Sequence, residues 1–81
     1  MEKITYQGKQ YPIRWGKHNT SGMVIFGTES LNKAIFDNET GKYKDDEAKA
    51  VDGKIYAFVD DNVLETYTDE KFNQYINTYY D

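Results

Sequence analysis

The sequence predicts an α+β domain in which a small antiparallel sheet packs against two or three C-terminal helices. Three observations carry this expectation. Apolar residues alternate over the first fifteen positions, a short apolar run follows at Met23–Phe26, and the last dozen residues carry an apolar stripe at helical spacing. With 81 residues the chain has room for one core, so a single domain spanning 1–81 is expected.

Ile4, Tyr6, Tyr11, Ile13 and Trp15 alternate on either side of Gln7-Gly8-Lys9-Gln10, the period and punctuation of a β-hairpin. Strands are expected at 2–7 and 10–15. Pro12 has no N–H, which predicts an unpaired side or a bulge in the second. The polar, glycine-bounded stretch Gly16–Gly22 reads as a loop, and Met23-Val24-Ile25-Phe26 as a third, buried strand. Leu31, Ala34 and Ile35 have helical spacing, so a short helix capped by Thr28 or Ser30 is expected, with a strand closing at Phe36 as the competing reading. Asp37–Gly41 is a turn on either reading.

From Asp45 to Asp60 the apolar positions Ala48, Val51, Ile55, Phe58 and Val59 step by three and four, which predicts a helix. A hairpin turning at Asp52-Gly53 competes with it, because that pair suits a type I′ turn. The final element is an amphipathic helix at 68–79, with Thr68 or Thr66 as cap and Phe72, Tyr75, Ile76 and Tyr79 on one stripe.

Charge is unevenly distributed. Residues 1–33 carry +3 and residues 34–81 carry −7, giving the net −4 of the chain. An acidic C-terminal half disfavours nucleic-acid phosphates as partners. The absence of cysteine excludes a disulfide framework and a thiolate metal site. His18 is the single histidine, so a nitrogen-rich zinc site is not expected either, and the bland reading of His18 is an exposed loop residue. An EF-hand starting at Asp37 would place Lys42 and Ala48 where glycine and glutamate are required. No cofactor and no catalytic residue are expected. The N-terminus lacks the apolar run of a signal peptide and no stretch reaches spanning length, which predicts a cytoplasmic, membrane-free protein.

Eight tyrosines exceed what so small a core requires. Tyr67, Tyr79 and Tyr80 lie among Asp60, Asp61 and Glu65, and this acidic, tyrosine-bearing surface is the expected contact for a protein partner. The alternative is an anion or nucleic-acid site built from Arg14, Trp15, Lys17 and His18 on the hairpin and its following loop.

The stretch Asp45-Asp46-Glu47-Ala48-Lys49-Ala50-Val51-Asp52-Gly53-Lys54-Ile55-Tyr56-Ala57-Phe58-Val59-Asp60-Asp61, followed by Thr68-Asp69-Glu70-Lys71-Phe72, resembles a pattern in small uncharacterised accessory proteins of bacterial mobile genetic elements. The likeness covers about a third of the chain and departs at Gly53. It implies an accessory role on a plasmid, phage or conjugative element and carries over no catalytic residue.

Overall fold

The computed structural model describes residues 2–80 and shows the α+β class expected. Strands β1 (Lys3–Tyr6) and β2 (Lys9–Pro12) form an antiparallel hairpin with Ile4 opposite Tyr11 and Tyr6 opposite Lys9. Its two-residue turn holds Gln7 at φ 50° and Gly8 at φ 79°, the paired left-handed conformation that matches strand twist. This hairpin is a sheet of its own. The expected strand 10–15 divides near Ile13, because pairing stops at Pro12 and the Ile13 N–H turns back to the Glu2 carbonyl at 2.9 Å.

The central sheet has three strands. β3 (Arg14–His18) pairs antiparallel with β4 (Gly22–Thr28), and β7 (Ala57–Val59) adds to β4 in parallel. The stretch Gly16–Gly22 is therefore not a loop. Gly16 and His18 point inward while Trp15 and Lys17 point out, and only residues 19–21 make the turn. Polarity misled here because a glycine and a histidine occupy the two buried strand positions.

Between β4 and β7 the chain runs through helix α1 (Glu29–Ile35), the short strands β5 (Phe36–Asp37) and β6 (Lys42–Tyr43), and helix α2 (Asp46–Asp52). Thr28 caps α1 by accepting the Leu31 N–H at 3.1 Å. The helix expected over 45–60 ends at Asp52, and the alternative hairpin at Asp52-Gly53 is not formed either. Gly53 is right-handed at φ −62°, after which the chain rejoins the sheet through the Tyr56 N–H to the Ile25 carbonyl at 2.7 Å. The misleading apolar spacing has a physical cause. β7 is covered on both faces, so Phe58 and Val59 are consecutive apolar residues that read equally as helix or buried strand.

Helix α3 (Asp61–Thr66), which the sequence reading did not anticipate, is followed by α4 (Asp69–Tyr79), which matches the expected terminal helix. Thr68 caps α4, accepting the Lys71 N–H at 3.2 Å. One apolar cluster forms where α3 and α4 cover the sheet: Val24, Phe26 and Val59 meet Val63, Leu64, Phe72 and Ile76. A second forms where α1 and α2 meet the hairpin, through Tyr6, Leu31, Ile35, Ala48 and Val51. Among the described residues no helix is long and apolar enough to cross a membrane.

Candidate functional site

Arg14 is consumed by the fold. Its Nη1 donates to the carbonyls of Leu64 at 3.1 Å and Tyr67 at 2.8 Å, and its Nη2 reaches Asp69 Oδ1 at 2.5 Å. Those carbonyls lie at the C-terminal end of α3, which has no basic residue in its own last turn. The guanidinium also stacks over the Phe72 ring, 4.5 Å from its centroid. With its charge paired and its planar face covered, Arg14 is a clasp between β3 and the α3–α4 junction.

His18 is equally committed. It is buried, not exposed as the loop reading required. Its Nδ1 accepts the backbone N–H groups of Thr20 at 3.3 Å and Ser21 at 3.2 Å, and its Nε2 donates to the Tyr80 carbonyl. This pattern assigns the proton to Nε2 and leaves neither ring nitrogen for general-base work or for an anion. Beside it, Asn73 and Asn77 of α4 seal the outer edge of β3. Asn73 accepts the Lys17 N–H at 3.0 Å, Asn77 accepts the Asn19 N–H at 2.7 Å, and Asn77 donates to the Lys17 carbonyl at 3.0 Å. The four residues of the expected anion site therefore divide: Arg14 and His18 face the interior, and Trp15 and Lys17 stay at the surface.

The acidic residues divide as well. Asp60 caps α3 through the Asn62 N–H at 2.8 Å, and Asp61 holds Ser30 at the start of α1, accepting its hydroxyl at 2.5 Å and its N–H at 3.3 Å. Glu65 is exposed and lines a groove with Glu2, Arg14 and Tyr67 rather than the one shared by the tyrosines of α4. Tyr80 belongs to the core: its ring packs edge-on against Phe26 and its hydroxyl donates to the Phe58 carbonyl at 2.9 Å. Burial pushes its phenol pKa up.

Tyr67, Tyr75 and Tyr79 do come together. Tyr75 sits between the other two, with ring centroids 5.9 Å from Tyr67 and 4.8 Å from Tyr79. The three line a shallow groove of about 260 Å³ with Lys71, Gln74 and Thr78. Tyr79 is 69% exposed, the most open large apolar side chain among the described residues. The Tyr75 phenol is raised above its ordinary pKa, first by burial and then by its tyrosine neighbours and the charges of Asp60 and Glu29. The sequence reading placed Tyr75 on the α4 stripe but not among the contact residues. Its position between buried Phe72 and Ile76 and exposed Tyr79 places it on the margin of that stripe.

Among the described residues no three histidine, cysteine or carboxylate side chains gather as a metal-ligating group. Their one ion pair is Arg14–Asp69. No family model, curated protein or solved structure matches the chain.

Proposed function

We propose that this chain is a non-enzymatic protein-interaction module that contacts its partner through the tyrosine face of α4, with Tyr67, Tyr75 and Tyr79 as anchors. The observation that carries this reading is the exposed ring cluster itself. Tyrosine supplies large contact area with few rotatable bonds, and exposed clusters of this kind are favoured at protein interfaces. Lys71 lies over the Tyr67 ring at 4.4 Å and shares the groove with the tyrosines, so the rim carries charge beside the aromatic floor.

The competing reading, an anion or nucleic-acid binder, loses its two strongest donors to internal contacts, because Arg14 and His18 are bound to backbone carbonyls of the chain itself.

The test starts from the partner recovered by affinity capture and then measures its binding to the purified chain by calorimetry. Tyr79→Ala and Tyr67→Ala are expected to weaken it by about tenfold each while leaving the fold intact. Micromolar binding of nucleic acid at physiological salt, lost on replacing Lys17 and unchanged by the tyrosine variants, would replace this reading with the anion-binding one.

A further inference from the structure

The central sheet is covered completely on one face and only halfway on the other. Below, Gly27 and Phe58 are roofed by Leu31 of α1 and its neighbours. Above, the same face carries Trp15 and Lys17 from β3 and Met23 and Ile25 from β4, of which Trp15, Lys17 and Met23 are exposed and Ile25 is half-buried. Trp15 is 47% exposed and Met23 62%. With Lys54, Ile55 and Tyr56 they line an open groove of about 530 Å³ between the sheet and the connection from α2 to β7.

We propose that this groove docks an acidic amphipathic helix from a partner protein. Its lining favours such a ligand by charge. No carboxylate lines the groove, although the chain as a whole is −4. The ammonium groups of Lys54, within it, and Lys17, on the Trp15 face, are exposed and in no ion pair among the described residues. The nearby carboxylate, Glu2, accepts the Trp15 indole N–H at 2.5 Å and lines the separate groove along Arg14. Two cations flanking an apolar floor of tryptophan, methionine and isoleucine match a helix with large apolar residues on one face and aspartate or glutamate beside them.

The covering elements favour a helix over a strand. The lower half of this face is already packed by helices, so an added helix extends an existing layer. The open edge of β3 that a strand would need is occupied by Asn73 and Asn77. A second copy fits less well, because a two-fold contact would bring Lys17 and Lys54 of each face against the same lysines of the other.

Trp15 is the only tryptophan of the chain and lines both this groove and the one along Arg14, so its emission reports a bound peptide and Met23→Glu assigns it to this groove. The probes are two synthetic helical peptides of about 15 residues, each with leucine at i, i+3, i+4 and i+7. One carries glutamate on both flanks and the other lysine. The glutamate peptide is expected to shift Trp15 emission to shorter wavelength, saturably, with affinity falling as salt rises. The lysine peptide, the Met23→Glu variant and the Lys17→Glu/Lys54→Glu variant are each expected to lower affinity by about tenfold or more. Circular dichroism of the variants should match the parent, since all three side chains are exposed, and Tyr79→Ala should bind the peptide as the parent does. Equal response to both peptides, response to neither, or unchanged binding by Met23→Glu would overturn the proposal. So would a parent chain that sediments as a dimer while Met23→Glu sediments as a monomer, which would give the face to a second copy.

Discussion

The two apolar clusters on either side of β4 are closed by different chemistry. Around Phe26, Phe72 and Ile76 the closures run to backbone: Arg14 to two carbonyls of the α3–α4 junction, His18 to the Tyr80 carbonyl, Asn77 to the Lys17 carbonyl, Tyr80 to the Phe58 carbonyl. Around Tyr6, Leu31 and Val51 the closure rests on two carboxylates, Asp45 and Glu47, the latter accepting the Gln7 N–H at 3.0 Å. Asp45 caps α2 by accepting the Ala48 N–H at 2.7 Å, and its other oxygen accepts the Tyr6 hydroxyl at 2.9 Å and Gln7 Nε2 at 2.6 Å. The hairpin is therefore attached to α2 through side-chain carboxylates, whereas α4 is attached to the sheet mainly through contacts to backbone carbonyls, with the Arg14–Asp69 ion pair beside them. The α4 face belongs to the first cluster, and the upper sheet face lies on the side of the second.

The largest effect is expected on removing an aromatic ring from that first cluster. Phe72 is fully buried and packs edge-on against Phe26 at 5.5 Å between centroids. Phe72→Ala should cost about 3–5 kcal/mol. Domains this small have about 3–5 kcal/mol to lose, so the variant should be largely unfolded by circular dichroism at room temperature.

Close approach of α4 to β3 gives the next test. A Cβ added at Gly16 would lie 2.7 Å from Ile76 Cδ1 and 3.0 Å from Phe72 Cε2, so Gly16→Ala should destabilise by about 1–3 kcal/mol in urea melts. Gly27 plays the same part on the opposite face, under Phe58 at 3.0 Å and Leu31 at 3.3 Å. A smaller loss from Gly27→Ala than from Gly16→Ala would identify the α4 side as the tighter of the two.

Acid should loosen the hairpin from α2. The Ala48 N–H, the Tyr6 phenol and Gln7 hold the Asp45 carboxyl below its ordinary 3.8, so its contribution is complete above that value and is lost as pH falls through the folded pKa. Amide exchange across about pH 5 to 2 should show α2 and the hairpin losing protection. Asp45→Asn should reduce that loss. At the alkaline end the sign reverses: burial and then Asp45 push the Tyr6 phenol up to about 12 from 10.0, so stability held below pH 10 should fall as pH rises towards 12. Tyr6→Phe should abolish that loss.

The smallest expected change is a gain. Gly53 has a helical φ of −62° and its nearest would-be neighbours are carbonyl oxygens at 3.6 Å, so Gly53→Ala should stabilise by about 0.4–1 kcal/mol through the unfolded chain. Destabilisation instead would mean that the end of α2 is not as described.

Local chemistry by itself determined the α+β class, the first hairpin and α4, and narrowed each helix cap to two candidates, because each depends on residues within one or two turns of one another; the structure selects Thr28 and Thr68. The alternation of Ile4, Tyr6 and Tyr11 and the stripe of Phe72 and Ile76 are complete signals at that range. Tertiary structure alone decided that β3 runs on through His18, since its inward glycine and histidine gain their place from Ile76, Phe72 and Tyr80, more than fifty residues away. It likewise decided that residues 57–59 form a parallel strand, because the partner that selects strand over helix is β4, across an intervening crossover. The sites followed the same division. Composition placed tyrosine and acid near the C-terminus, but only packing turned Tyr80 inward, brought Tyr75 beside Tyr79, and committed Arg14 to carbonyls that no local pattern connects to it.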